Sequence, residues 1–103
     1  MIVLDEFYDW VLSLEVIDRL VIDIKKLNFN EKSNNSMKKT IVLDMENDFY
    51  IGKYIIWEDN SCFVELIEVD SENQILHERK DCCNLEELKS QYKKIYFFFE
   101  RSI

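Results

Sequence analysis

An antiparallel sheet flanked by helices, an α+β fold, is what this sequence predicts. Two observations carry the prediction. Both ends of the chain place apolar residues at helical spacings of three and four, whereas the middle alternates with a period of two. The alternating runs are separated by two to four polar residues, connections short enough to force antiparallel neighbours, because parallel strands need long crossovers. The expected architecture is a meander of four to five strands with an N-terminal and a C-terminal helix, both on one face. With 103 residues it makes one domain, 1–103.

Residues 3–18 set Val3, Phe7, Trp10, Leu14 and Ile17 on one helical stripe, with Asp5, Glu6, Asp9 and Asp18 largely off it. Acids in the first turn suit the positive end of the helix dipole. Residues 20–29 could prolong that stripe through Val21 and Ile24. β-Branched residues dominate, however, and Leu20, Ile22 and Ile24 alternate, which favours a strand with a bulge near Leu27. Asn30 to Ser36 has no apolar anchor and reads as a mobile loop.

Strands follow at 39–46, 49–58, 62–69 and 74–80, separated by Asn47-Asp48, Asp59-Asn60-Ser61 and the turn 70–73. In the second of these, Phe49, Ile51, Ile55 and Trp57 share a face with Lys53, while Tyr50, Gly52, Tyr54 and Ile56 share the other. Asn84 reads as the N-cap of the closing helix, with Glu87 at its third position. Leu85, Leu88, Tyr92 and Ile95 form its apolar stripe, and Lys89, Lys93, Lys94 and Arg101 lie toward the negative end of its dipole.

Composition narrows the chemistry. One glycine and no proline exclude glycine-cradled phosphate loops and the nucleophile elbow, which need several glycines for close backbone approach. The formal charge of −8 repels phosphate backbones, so no nucleic-acid partner is expected. The charge is unevenly spread: residues 1–24 sum to −5 and residues 54–87 to −8, against +2 for 25–53 and +3 for 88–103. Solubility is the plain reading of such a surface; steering onto a basic partner is the sharper one. No membrane span and no secretory leader are expected, which places the protein in the cytoplasm. Three cysteines, Cys62, Cys82 and Cys83, lack a C-x-x-C spacing, and His77 is the one histidine. Buried thiols are the default reading, and neither a metal nor a cofactor is expected.

Catalysis would have to rest on His77 or on a Cys–His pairing, and a lone histidine on a polar edge strand is more often a surface residue. No catalytic residue is therefore assigned, and the chain is read as no enzyme. Binding has more support. Apolar residues occupy both parities of the central strands, so helices on one face cannot cover both, and the other face is either covered by other elements or partly exposed. Phe97, Phe98 and Phe99 point about 100° apart on a helix and cannot all enter one core. The expected contact surface is acidic with aromatic anchors: Asp44, Glu46, Asp48, Glu58, Glu65 and Glu68, with Tyr50 and Tyr54 exposed among them. The alternative is a small homodimeric structural or adaptor protein that uses its apolar face for self-association.

The runs Ile41-Val42-Leu43-Asp44-Met45-Glu46, Tyr50-Ile51-Gly52-Lys53-Tyr54-Ile55-Ile56-Trp57-Glu58 and Val64-Glu65-Leu66-Ile67-Glu68-Val69-Asp70, then Glu86-Glu87-Leu88 and an early Trp10, carry a family likeness. Across residues 1–100 the chain resembles the TriTu immunity proteins of bacterial polymorphic-toxin systems. One departure is Asp59-Asn60-Ser61, where a glycine would be expected; Asn tolerates positive φ and can make the turn. The resemblance implies a non-enzymatic inhibitor that binds a cognate toxin domain. Members are associated with ADP-ribosyltransferase toxins directed at translation elongation factor Tu.

Overall fold

The computed structural model describes residues 4–27, 39–59, 61–82 and 84–101. Helix α1 (Leu4–Leu12) leads into five strands, β1 (Val21–Leu27), β2 (Thr40–Glu46), β3 (Tyr50–Trp57), β4 (Ser61–Glu68) and β5 (Gln74–Asp81), and helix α2 (Leu85–Arg101) closes the chain. The strands lie in sequence order, each antiparallel to the one before. The α+β meander anticipated from the spacing is thus the fold, with five strands.

Among the described residues, the helices cover one face of the sheet and leave the other without a second layer. Ile41, Leu43 and Met45 of β2, Tyr54 and Ile56 of β3, and Cys62, Val64 and Leu66 of β4 are buried together with Phe7 of α1 and Leu88, Ile95 and Phe99 of α2. Both helices therefore sit on this face. Gly52 sets how closely α2 can approach. A Cβ there would stand 3.2 Å from the Phe99 ring and 3.3 Å from Ile95 Cγ2, so the missing side chain lets helix and sheet touch. The helices meet through Trp10 and Tyr92, whose rings cross edge to face at 5.4 Å.

Three details differ from the sequence expectation, each for a local reason. Helix α1 stops at Leu12, although the stripe runs to Ile17. Ser13 ends it: its N–H donates to the carbonyls of Asp9 and Trp10, and its Oγ donates to Trp10 O at 2.6 Å. Leu14 and Ile17 still pack on the core from irregular backbone. Strand β1 keeps one register with β2 from Val21 to Leu27, without the bulge. The irregularity falls between Leu66 and Ile67, opposite β5. The loop expected over 30–36 lies outside the described residues.

The closing helix starts where its N-cap predicts. Asn84 Oδ1 accepts the Glu87 N–H at 3.0 Å. Of the three phenylalanines, Phe99 is buried, Phe98 packs against the core and Phe97 is half exposed. Burial also tightens the hold of three core groups on their protons. Tyr54 is displaced upward by desolvation and then by the neighbouring thiols. Cys62 is pushed up to about 12 by desolvation and by Cys82, and Tyr92 to about 12 by desolvation and by Tyr96.

Candidate functional site

The second face of the sheet carries the candidate site. Strand pairing lays its residues in rows. One row runs Val42, Ile55, Phe63, Arg79; the next runs Asp44, Lys53, Glu65, His77; a third runs Glu46, Ile51, Ile67, with Gln74 at its end. Trp57 lies beyond the first row, and the Arg79 guanidinium stands 4.9 Å from its ring centroid. Phe63 meets the His77 ring edge to face at 5.3 Å. Val42, Ile55, Trp57, Phe63 and Ile67 are only partly buried, and among the described residues no helix packs over them.

Charge on this face is ordered along the strands. Asp44 Oδ1 lies 3.9 Å from Lys53 Nζ, and Glu65 Oε2 lies 3.4 Å from His77 Nδ1. Toward the β2–β3 and β4–β5 turns the cations disappear. Segments 44–52 and 65–75 contain seven acids, Asp44, Glu46, Asp48, Glu65, Glu68, Asp70 and Glu72, and no lysine or arginine. Phe49, Ile51 and Val69 are exposed within that acidic end, at 49, 45 and 40%. The two turns are tied together by the Val69 N–H donating to Phe49 O at 2.9 Å. Asn47 Oδ1 accepts the N–H groups of Phe49 and Tyr50, both at 2.8 Å, which fixes the first turn. The result is an apolar belt with an acidic end, its turns fixed by these hydrogen bonds.

Asp44, Glu46 and Glu65 fall on this face, and Asp48 lies in the adjoining turn. Glu68 ends β4 on the covered-face parity, opposite Tyr50, and its Oε1 accepts the Ser71 hydroxyl at 2.6 Å. Glu58 belongs to the far end of the sheet, where its Oε1 accepts the Lys39 N–H at 3.0 Å. The two tyrosines correct the expectation. Tyr54 is fully buried, and its hydroxyl donates to Leu88 O at 3.0 Å. Tyr50 is half-buried against Phe98 and Phe99. Both share the parity of Gly52, the face that α2 covers. The rings that do face outward are Trp57 and Phe63, with Phe49 at the turn. Lys53 was the available signal, since an aliphatic ammonium in mid-strand marks the face that remains in water.

His77 faces outward, whereas Cys62 and Cys82 are buried on the covered side, so the sheet stands between imidazole and thiols. Among the described residues, no three His, Cys, Asp or Glu side chains gather to hold a metal ion. No helix among them is long and apolar enough to cross a membrane. On the helix side a groove of about 410 Å³ opens between α1 and α2, lined by Trp10, Leu14, Tyr92, Tyr96 and Phe97 with charged residues at its rim.

Comparison with known families matches residues 5–98 to the model of the immunity protein TriTu. The chain belongs to the TriTu family of immunity proteins. The match takes in both helices and all five strands, apart from the outermost residues of each helix. The likeness seen in the strand runs and the closing helix is therefore family membership. A comparison with curated proteins finds no match. Membership in an immunity family implies that the chain binds a toxin partner.

Proposed function

We propose that this chain neutralises a cognate toxin domain, an ADP-ribosyltransferase acting on elongation factor Tu, by lying over it with the open face of the sheet. Family membership supports the immunity role. The observation that carries the choice of surface is the belt of Ile51, Ile55, Trp57, Phe63 and Ile67, partly exposed and uncovered among the described residues. A toxin site that accepts NAD and an elongation factor would be lined with basic groups. The acidic end at Glu46, Asp48 and Asp70 speeds encounter with such a surface, and the apolar belt slows dissociation. A stable complex needs roughly 1,200–2,000 Å² of total buried area. One sheet face with its adjoining turns is of that order.

The contact surface in this reading holds Asp44, Glu46, Asp48 and Glu65, with Glu58 and Glu68 at its two ends. Trp57 and Phe63 replace Tyr50 and Tyr54 as the ring anchors. Inhibition is by obstruction in the cytoplasm where the toxin is made, and the inhibitor itself performs no reaction. The test is co-expression with an ADP-ribosyltransferase toxin domain directed at elongation factor Tu. Restored growth and a co-purifying complex are expected. Charge reversal at Glu58 and Glu65 should then weaken the complex while the domain stays folded. Unchanged affinity in both variants would remove this surface.

The groove between the helices, with Phe97 half exposed beside it, favours a second reading in which the chain is a homodimer. Size-exclusion mass at micromolar concentration separates the two. A dimer that dissociates when Phe97 is replaced by Asp, in a chain that binds no toxin, would favour self-association.

A further inference from the structure

Cys62 lies on β4, and Cys82 follows the last residue of β5. Both side chains are wholly buried on the covered face, and their sulfurs stand 3.1 Å apart. A disulfide bond is about 2.05 Å long, so closure asks for a further approach of roughly 1 Å, a distance within reach of side-chain rotation. Twenty positions separate the two residues, and the chain between them is the β4–β5 hairpin.

We propose that Cys62 and Cys82 are an oxidation site: they close to a disulfide when the protein meets a small-molecule disulfide of the glutathione class. One protein thiol loses its proton to solvent, and the thiolate attacks a sulfur of the oxidant. A mixed disulfide forms and one glutathione leaves. The second cysteine, deprotonated in turn, attacks the protein sulfur of that mixed disulfide and expels the other glutathione. The protein gives up two hydrogens and two electrons, and the oxidant is reduced to two thiols.

The site is guarded by its own burial. In the closed fold the Cys62 thiol is held protonated, because burial pushes its titration up to about 12, and a protonated thiol does not attack. Reaction therefore begins when β5 opens. Among the described residues β5 is an edge strand, paired with β4 alone, and most of its side chains are exposed. Strands of that kind open well below the cost of global unfolding. Once formed, the bond fastens the edge strand to its neighbour. Phe63, Glu65, His77 and Arg79 of the open face all ride on that hairpin, so oxidation fixes half of the surface proposed to meet the toxin.

The test needs no toxin. A Cys83→Ser variant removes the third thiol, and the full chain is incubated with oxidised glutathione and then alkylated under denaturing conditions. The expected product has lost two hydrogens, takes up no alkylating agent and yields a joined peptide holding Cys62 and Cys82. Its Tm should rise by on the order of 10 °C, because a short loop is closed in the unfolded chain. Reductant should reverse the rise, and a variant that also carries Cys62→Ala should not show it. Two thiols that both take up the alkylating agent, or glutathione adducts that never close, would overturn the proposal. So would a bond that lowers Tm, or a wild-type disulfide that runs through Cys83 instead.

Discussion

The two faces of the sheet are built by the same five strands and differ by a single step in parity. On the covered face Ile41, Leu43, Tyr54, Ile56 and Leu66 are wholly buried. On the open face Val42, Ile55, Phe63 and Ile67 occupy the alternate positions, equally apolar in character but only partly buried. What distinguishes the faces is what interrupts them. The covered face has Gly52 at its centre, which admits α2, and the open face has Lys53 between Asp44 and Glu65. The comparison teaches that burial here is decided by the few residues that exclude or admit a second layer, since hydrophobicity alone would cover both sides.

The sharpest way to break this contrast is Tyr54→Ala. It removes a fully buried ring and its hydrogen bond to Leu88 O, and should cost about 3–5 kcal/mol. Urea denaturation followed by circular dichroism would read the loss. Trp57→Ala on the other face should cost about 1 kcal/mol of stability, from lost packing and the contact with Arg79. Its larger effect should be on the toxin complex, a loss of about 2 kcal/mol or more by calorimetry, as for a ring that anchors an interface. A Trp57→Ala variant that binds at full strength would take the anchor role away from this ring.

Gly52→Val probes the step in parity itself. The added side chain must push Phe99 and Ile95 aside, and a loss of about 1–3 kcal/mol is expected in the urea midpoint. Alkaline pH probes the buried groups of the covered side. Cysteine and tyrosine ordinarily titrate at 9.0 and 10.0, but in the fold Cys62 and Tyr92 keep their protons to about 12 and Tyr54 beyond that. The unfolded chain therefore loses protons first. Stability should be level below about pH 9 and fall as pH rises toward about 12, by at most about 1.4 kcal/mol per pH unit for each group. Tyr54→Phe should flatten part of that slope. The smallest effect is expected from Glu46→Lys, within about 0.5 kcal/mol in stability. Its signature should be a slower association with the toxin at low salt that fades as salt is added.

Much of this architecture was legible in the residues. Period-two runs with short polar turns could form only an antiparallel meander, and Asn84 marked the start of α2 through the bond it now makes to Glu87. The length of α1 was less legible, because Leu14 and Ile17 keep helical spacing while packing from turns that Ser13 initiates. The site was half readable. Its acids Asp44, Glu46 and Glu65 belong to strands whose register is fixed by alternation. Its rings were misassigned because apolar residues occupy both parities of the central strands, so alternation alone does not say which face the helices take. The Tyr54 hydroxyl is satisfied by a helix carbonyl 34 residues away, a partner that no local pattern encodes.

The meander has a further consequence for how the molecule is assembled. Each strand finds its neighbour across a connection of modest length, so the sheet can grow in the order of synthesis, closing only small loops. The helix layer cannot. Tyr96 Oη accepts the Ile17 N–H across 79 positions, and α1 is joined to α2 only once residues 85–101 have been made. Until that moment the nascent sheet shows grease on both sides, and a chain cut short before α2 should go to inclusion bodies instead of folding.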